Sequence, residues 1–102
     1  MPYVRVSLMR SKDPSSPAAA KIVDELIAYM SRQPGYITGW RMTAQDGTGL
    51  LGRITIWNTE TDADRAAQTD HVLALRSQLN PLVEEGSHEE HALEGHEVPV
   101  SA

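Results

Sequence analysis

The sequence predicts an α+β domain, a four-stranded antiparallel sheet with helices on one face in the ferredoxin-like order βαββαβ. Three observations carry this. Residues 3–9 alternate between two sides, residues 19–30 repeat apolar positions at helical spacing, and two β-branched, aromatic-rich runs flank Asp46-Gly47. A chain of 102 residues has room for one domain, residues 1–102, with a small core. At that size oligomerisation is a common way to bury more surface.

Taken in order, Val4, Val6 and Leu8 share one side of the first strand, and Tyr3, Arg5, Ser7 and Met9 share the other. A Ser/Pro loop leads to Pro17, whose missing N–H has no partner to lose in a first helical turn, with Ser16 as cap. Ala19, Ile22, Val23, Leu26, Ile27 and Met30 then form one buried stripe, and Pro34-Gly35 stops the helix. Residues 37–43 and 50–57 read as a hairpin, because Asp46-Gly47 tolerates the positive φ of a tight turn. A two-residue turn there sets Met42 opposite Leu51, Trp40 opposite Arg53, Thr38 opposite Thr55 and Tyr36 opposite Trp57. Residues 59–68 suit a helix with Ala63, Ala66 and Ala67 inside and Thr61 as cap. From Asp70 the positions Val72, Leu75, Leu79, Leu82 and Val83 continue at helical spacing, with Pro81 shortening the helix and Gly86 closing it. The segment 88–98 fits an edge strand beside the first.

Charge is placed unevenly. Six glutamates, at positions 84, 85, 89, 90, 94 and 97, lie in the last nineteen residues, and no Lys or Arg follows Arg76. An acidic chain without a basic cluster argues against nucleic acid as a partner. No apolar run approaches the roughly 18 residues of a membrane span, and the N-terminus lacks the pattern of a signal peptide, so no membrane partner and a cytoplasmic location are expected. The absence of cysteine removes disulfides, thiol nucleophiles and thiolate metal sites. His88, His91 and His96 invite a metal reading, but on a strand His88 and His96 are too far apart and His91 points the other way, so no metal is expected. A charged edge that resists pairing explains the same composition.

The aliphatic side, with Val4, Val6, Leu8, Ile37, Ile54 and Ile56, is the expected seat of the helices. The other side then exposes Tyr3, Tyr36, Trp40 and Trp57 among Arg5, Ser7 and Arg53, a patch too apolar to stay open to water. A second copy of the same face is expected to cover it, giving a two-fold homodimer through the sheet face. Rings mixed with guanidiniums also suit a ligand pocket. Arg5 and Arg53 need carboxylates such as Glu90 or Glu94, a bound anion or water.

The helix exit Pro34-Gly35-Tyr36 into a Trp-bearing strand, the segment Ile54-Thr55-Ile56-Trp57-Asn58 before an alanine-rich helix, and Asp70-His71-Val72 resemble the dimeric α/β-barrel superfamily. Within it, residues 3–100 most resemble the antibiotic biosynthesis monooxygenase-like group. That group includes cofactor-independent monooxygenases of aromatic polyketides or quinols, haem-degrading oxygenases and dimers without an established reaction. The haem-degrading branch uses an Asn on the first strand, a Trp on the third and a His on the second helix. Trp57 and His71 stand at comparable places here, whereas the first strand offers Ser7 and no Asn. The quinol branch has an Asn and a Trp near the end of the third strand, and here Asn58 follows Trp57 directly, a closer spacing than in that branch.

The resemblance implies a dimeric α/β barrel that binds a small aromatic, quinol or polyketide-like molecule and oxygenates it with no cofactor. His71 is the expected base, because an imidazole exchanges protons near neutrality, and Arg53 or Arg5 the expected oxyanion stabiliser, with Asn58 beside them. Trp57, Trp40 and Tyr36 form the expected aromatic wall, with Arg5 and Ser7 completing the substrate contacts. Trp40 opposite Arg53 is also explained as a plain cation–π pair. The alternatives are a non-catalytic dimeric binding or stress-related protein, and a haem-binding or haem-degrading relative.

Overall fold

The computed structural model describes residues 1–101. It contains β1 (Tyr3–Arg10), α1 (Ala18–Met30), β2 (Tyr36–Thr43), β3 (Leu50–Trp57), α2 (Glu60–Ala67), α3 (Asp70–Leu79) and β4 (Glu89–Glu94). The strands form one antiparallel sheet in the order β2-β3-β1-β4, the expected ferredoxin-like α+β topology. None of the helices among the described residues is long and apolar enough to cross a membrane.

Local chemistry sets the ends of the helices. Ser16 Oγ accepts from the Ala18 N–H at 3.2 Å at the start of α1. Thr59, and not Thr61, caps α2: its Oγ1 accepts from the Asp62 N–H at 3.1 Å and donates to Asp62 Oδ2 at 2.9 Å. Pro81 holds α3 to Leu79, and the chain tightens into a 3₁₀ turn over Asn80–Leu82. The acidic segment becomes the expected edge strand, with β4 paired to β1 from Tyr3 opposite Glu94 to Leu8 opposite Glu89.

The helices cover the opposite face from the expected one. Tyr3, Met9, Leu51 and Trp57 are buried in one cluster with Val23, Leu26 and Met30 of α1, Ala63 and Ala66 of α2, and Val72, Leu75 and Leu79 of α3. Volume explains the choice. The inner side of α2 is alanine, and close packing over it requires large rings from the sheet, which Trp57 and Tyr3 supply and the shorter Val and Ile side chains do not. Val4, Val6, Leu8, Ile54 and Ile56 are therefore left half-buried on the open face.

The hairpin register also differs. Tyr36 does pair with Trp57, but a bulge at Ile37 brings Thr38 opposite Ile56 and Trp40 opposite Ile54. One extra residue changes the parity of everything after it. Trp40 thus moves to the open face, 52% exposed, and Arg53 stands opposite Arg41. The connection is longer than a two-residue turn: the Ala44 N–H reaches Leu50 O at 2.9 Å, and Gly47 and Gly49 both take positive φ, 78° and 81°. Asp46 Oδ1 ties the loop by accepting from the Thr48 N–H at 3.0 Å and its hydroxyl at 2.7 Å.

Gly35 joins α1 to the sheet at φ 86°, where its carbonyl accepts from the Asn58 N–H at 2.8 Å and an added Cβ runs into the Asp62 side chain. Gly35→Ala therefore lowers the thermal midpoint by roughly 5–15 °C, from a left-handed cost of about 1–2 kcal/mol together with a disturbed α2 cap. Gly47→Ala has the same φ problem in open space and gives a smaller drop; circular dichroism melts of the two variants check the order.

Candidate functional site

Beneath the helices the sheet carries charge as well as rings. Arg53, on β3, is 6% exposed, and its Nη2 donates to Ser7 Oγ of β1 at 3.2 Å. Ser7 in turn donates to Glu90 Oε1 of β4 at 3.1 Å. The same oxygen lies 4.0 Å from Arg53 Nη2, 3.7 Å from Arg76 Nη2 of α3 and 3.6 Å from His88 Nε2. Ladder pairing produces this convergence, since Ser7 is opposite Arg53 on one side and Glu90 on the other.

A second charged group lies one step along β1. Arg5 Nη2 donates to Asp64 Oδ1 of α2 at 2.6 Å and to the Tyr3 hydroxyl at 3.2 Å, and its guanidinium lies 5.5 Å from the Tyr3 ring centre. Both Arg5 and Arg53 keep a buried Nε–H without a hydrogen-bond partner. Such orphans are uncommon in folded proteins and cost free energy.

Burial, helped by the positive charges of Arg76 and Arg5 and opposed by Glu90, pushes the Arg53 guanidinium down to about 10, so it remains charged at neutral pH. Glu90 is held below the ordinary carboxylate value: its own burial pulls upward, but the Ser7 hydrogen bond and the charges of Arg76, His88 and Arg53 outweigh it. Burial raises the Tyr36 phenol.

The structure brings together Arg5, Ser7, Arg53, Trp57 and Tyr36 from the residues the sequence singles out. Trp57 is 1% exposed, donates through Nε1 to Thr55 Oγ1 at 3.0 Å, and meets Tyr36 edge-on with ring centres 5.5 Å apart. Three others stand elsewhere. Trp40 is on the open face, so no cation–π pair with Arg53 forms. His71 is exposed, its ring centre 4.4 Å from that of Tyr29 where α3 meets α1. Asn58 is exposed at the end of β3, beside a surface groove of about 660 Å³ that Tyr3, Thr59 and Glu94 also line. The expected ion pair of Arg5 with Glu90 or Glu94 is replaced by Asp64, because Ala92 is the residue of β4 opposite Arg5.

Sequence reasoning missed Arg76, His88 and Asp64 as members of the cluster. The strand period holds the signal for one of them, since His88 has the same parity as Glu90. Among the described residues no three His, Asp or Glu side chains form a group able to hold a metal; His88, His91 and His96 each lie beside a single glutamate. The residues do not fit a haem either, because Ser7 is committed to Arg53 and Glu90, and His71 stacks against Tyr29.

With a helix-covered sheet carrying an aromatic and cationic interior, the chain has the fold of the antibiotic biosynthesis monooxygenase-like group of the dimeric α/β-barrel superfamily. SnoaB, a cofactor-independent oxygenase from Streptomyces nogalater, matches with a TM-score of 0.82 at 16% identity over 95% of each chain. Rv0793 from Mycobacterium tuberculosis matches with a TM-score of 0.82 at 16% identity over 98% of this chain and 100% of its own. A candidate antibiotic biosynthesis monooxygenase from Nitrosomonas europaea matches with a TM-score of 0.80 at 18% identity over 91% of this chain and 97% of its own. At such identities the likeness is one of fold. No protein-family model and no curated protein matches the sequence.

The depressed Glu90 carboxyl has a pH signature. A group with a lower folded than unfolded value contributes stability above the unfolded value, and that contribution is lost as pH falls through the folded one. Glu90→Gln is therefore less stable than the parent at neutral pH, and the gap closes as pH falls below 4.5. Urea denaturation of both proteins across that range measures it.

Proposed function

We propose that the chain is a homodimer that binds a small aromatic, quinol or polyketide-like molecule against the Arg53–Trp57 interior and oxygenates it without a cofactor. The observation that carries this reading is Arg53, a buried guanidinium with an orphan Nε–H, flanked by Ser7 and sharing its face with Trp57 and Tyr36. SnoaB, of the same fold, is a cofactor-independent oxygenase.

The chemistry asks little of the protein beyond charge and orientation. Loss of a proton from an electron-rich phenol or enol leaves a carbanion, and Arg53 stabilises the charge on its oxygen in a site of low dielectric. The carbanion gives its electrons to O₂. One oxygen atom stays on the substrate carbon as a carbonyl and the other leaves as water, with the ring C–H and the phenolic O–H supplying the two protons and the substrate all four electrons. His71 sits on the outer surface, so the basic groups within reach of Ser7 are Glu90 and, behind it, His88.

The homodimer rests on the open face. Val4, Val6, Leu8, Ile54 and Ile56 form an aliphatic sheet surface extended by Trp40, Met42 and Leu93, which are 52%, 37% and 52% exposed. A second copy of this face gives an isologous contact and two sheets around one shared interior.

A non-catalytic dimeric binding protein is favoured by a different observation, the tight enclosure of Trp57 by the chain's own helices. Oxygen uptake separates the two readings. A screen of quinols and polyphenols yields uptake by the parent protein, reduced by Trp57→Phe and abolished by Arg53→Met, while Arg53→Met keeps or raises the thermal midpoint because apolar replacement of a buried charge is tolerated. No uptake with any compound sinks the oxygenase reading and leaves the binding one. For the assembly, sedimentation shows a dimer for the parent and a folded monomer for Trp40→Glu.

A further inference from the structure

The two orphan donors belong to neighbouring side chains. Arg5 pairs with Thr55 and Ser7 with Arg53, so the guanidiniums lie diagonally across β1 and β3 on the covered face, two like charges side by side. They are answered unequally. Arg5 has Asp64 at 2.6 Å, whereas Arg53 has only the Ser7 hydroxyl and, at 4.0 Å, a carboxylate beyond hydrogen-bond range.

That carboxylate is Glu90, and it is stretched between obligations. Its Oε1 accepts one hydrogen bond, from Ser7, while Arg53, Arg76 and His88 stand 3.6–4.0 Å away. It is carried by the edge strand β4, whose residues are all exposed. The side chains of Glu90, Arg76 and His88 are each about a third exposed, so the cluster runs from solvent to the buried Arg53.

We propose that Arg53, Ser7 and Arg76 form a binding site for the anionic oxygen of a small aromatic ligand, and that Glu90 is an internal carboxylate that fills this site until the ligand displaces it. The inference rests on the reading of this interior as the ligand site and adds the charge of the ligand and a gate. An incoming phenolate or carboxylate oxygen takes over the Ser7 hydrogen bond and comes within range of both guanidiniums, where Glu90 satisfies neither. The net charge of the cluster is unchanged by the exchange, and Glu90 regains water at the open edge. A neutral ligand gains nothing from the exchange.

Calorimetric titration with three probes tests this: 4-nitrophenolate at a pH where it is ionised, benzoate, and neutral nitrobenzene. Glu90→Gln removes the competing charge and tightens binding of the anionic probes about tenfold, with nitrobenzene unchanged. Arg53→Met abolishes the anionic binding in both backgrounds and leaves nitrobenzene bound. A response of nitrophenolate alone assigns a phenolate, and of benzoate alone a carboxylate. An equal response of charged and neutral probes to Glu90→Gln, or anion binding that survives Arg53→Met, overturns the displacement while the aromatic site stands. Failure of every aromatic probe to bind the parent overturns the aromatic reading itself. Far-UV circular dichroism confirms that each variant is folded.

Discussion

A guanidinium carried under the helices of a small domain has to be solvated by the protein, and the arrangement around Arg53 follows from that need. Ser7 is its neighbour across the β1–β3 ladder, Glu90 is the neighbour of Ser7 across the β1–β4 ladder, and Arg76 reaches the same carboxylate from α3. Three strands and a helix thus meet at one polar point inside an otherwise apolar layer. The acidity of the last segment is partly a response to this interior, since the edge strand supplies the only carboxylate near Arg53 among the described residues. Stability does not explain the arrangement. Breaking such a network by removing one partner is costly, yet replacing all of it with apolar side chains is commonly neutral or favourable.

The second constraint is volume. An alanine-faced α2 can approach the sheet closely only where large flat side chains meet it, and this draws Trp57 and Tyr3 inward together with the guanidinium of Arg5, which Asp64 of the same helix holds. The Val and Ile residues are displaced to the open side. The cationic interior and the free aliphatic face have one cause.

The topology was legible because periodicity and turn chemistry are local: all four strands, α1, the two later helices and the stop at Pro81 follow from spacing alone. The covered face was not. Alternation tells which residues share a side of β1 and β3, but both sides are apolar enough to be a core, and the deciding feature is the alanine face of a helix elsewhere in the chain. The bulge at Ile37 has a faint signal in Gly39, which leaves room for the Tyr36 hydroxyl on the covered face, a role that a regular register does not assign it. The place of His71 was computable: Val72, Leu75 and Leu79 define the inner stripe of α3, and at about 100° per residue the preceding position turns away from it. Arg76 and Asp64 join the site through rotation of α3 and α2 against the sheet, which no strand pattern contains.

Alternate residues of the same two strands carry both proposed functions. Arg5, Ser7, Arg53 and Thr55 face the helices, while Val4, Val6, Ile54 and Ile56, each one residue away, face outward. A strand transmits position from one face to the other without a mobile element, because a shift of the pleat moves neighbouring side chains together. A second copy seated on the open face therefore fixes the backbone from which the guanidiniums project, and the spacing between Arg53 and Ser7 is held from both sides. The edge strand β4 is different, with every residue exposed and only β1 beside it. The rigid donors lie on the two central strands and the carboxylate on the free edge, so Glu90 is the member of the cluster with the fewest constraints on moving away.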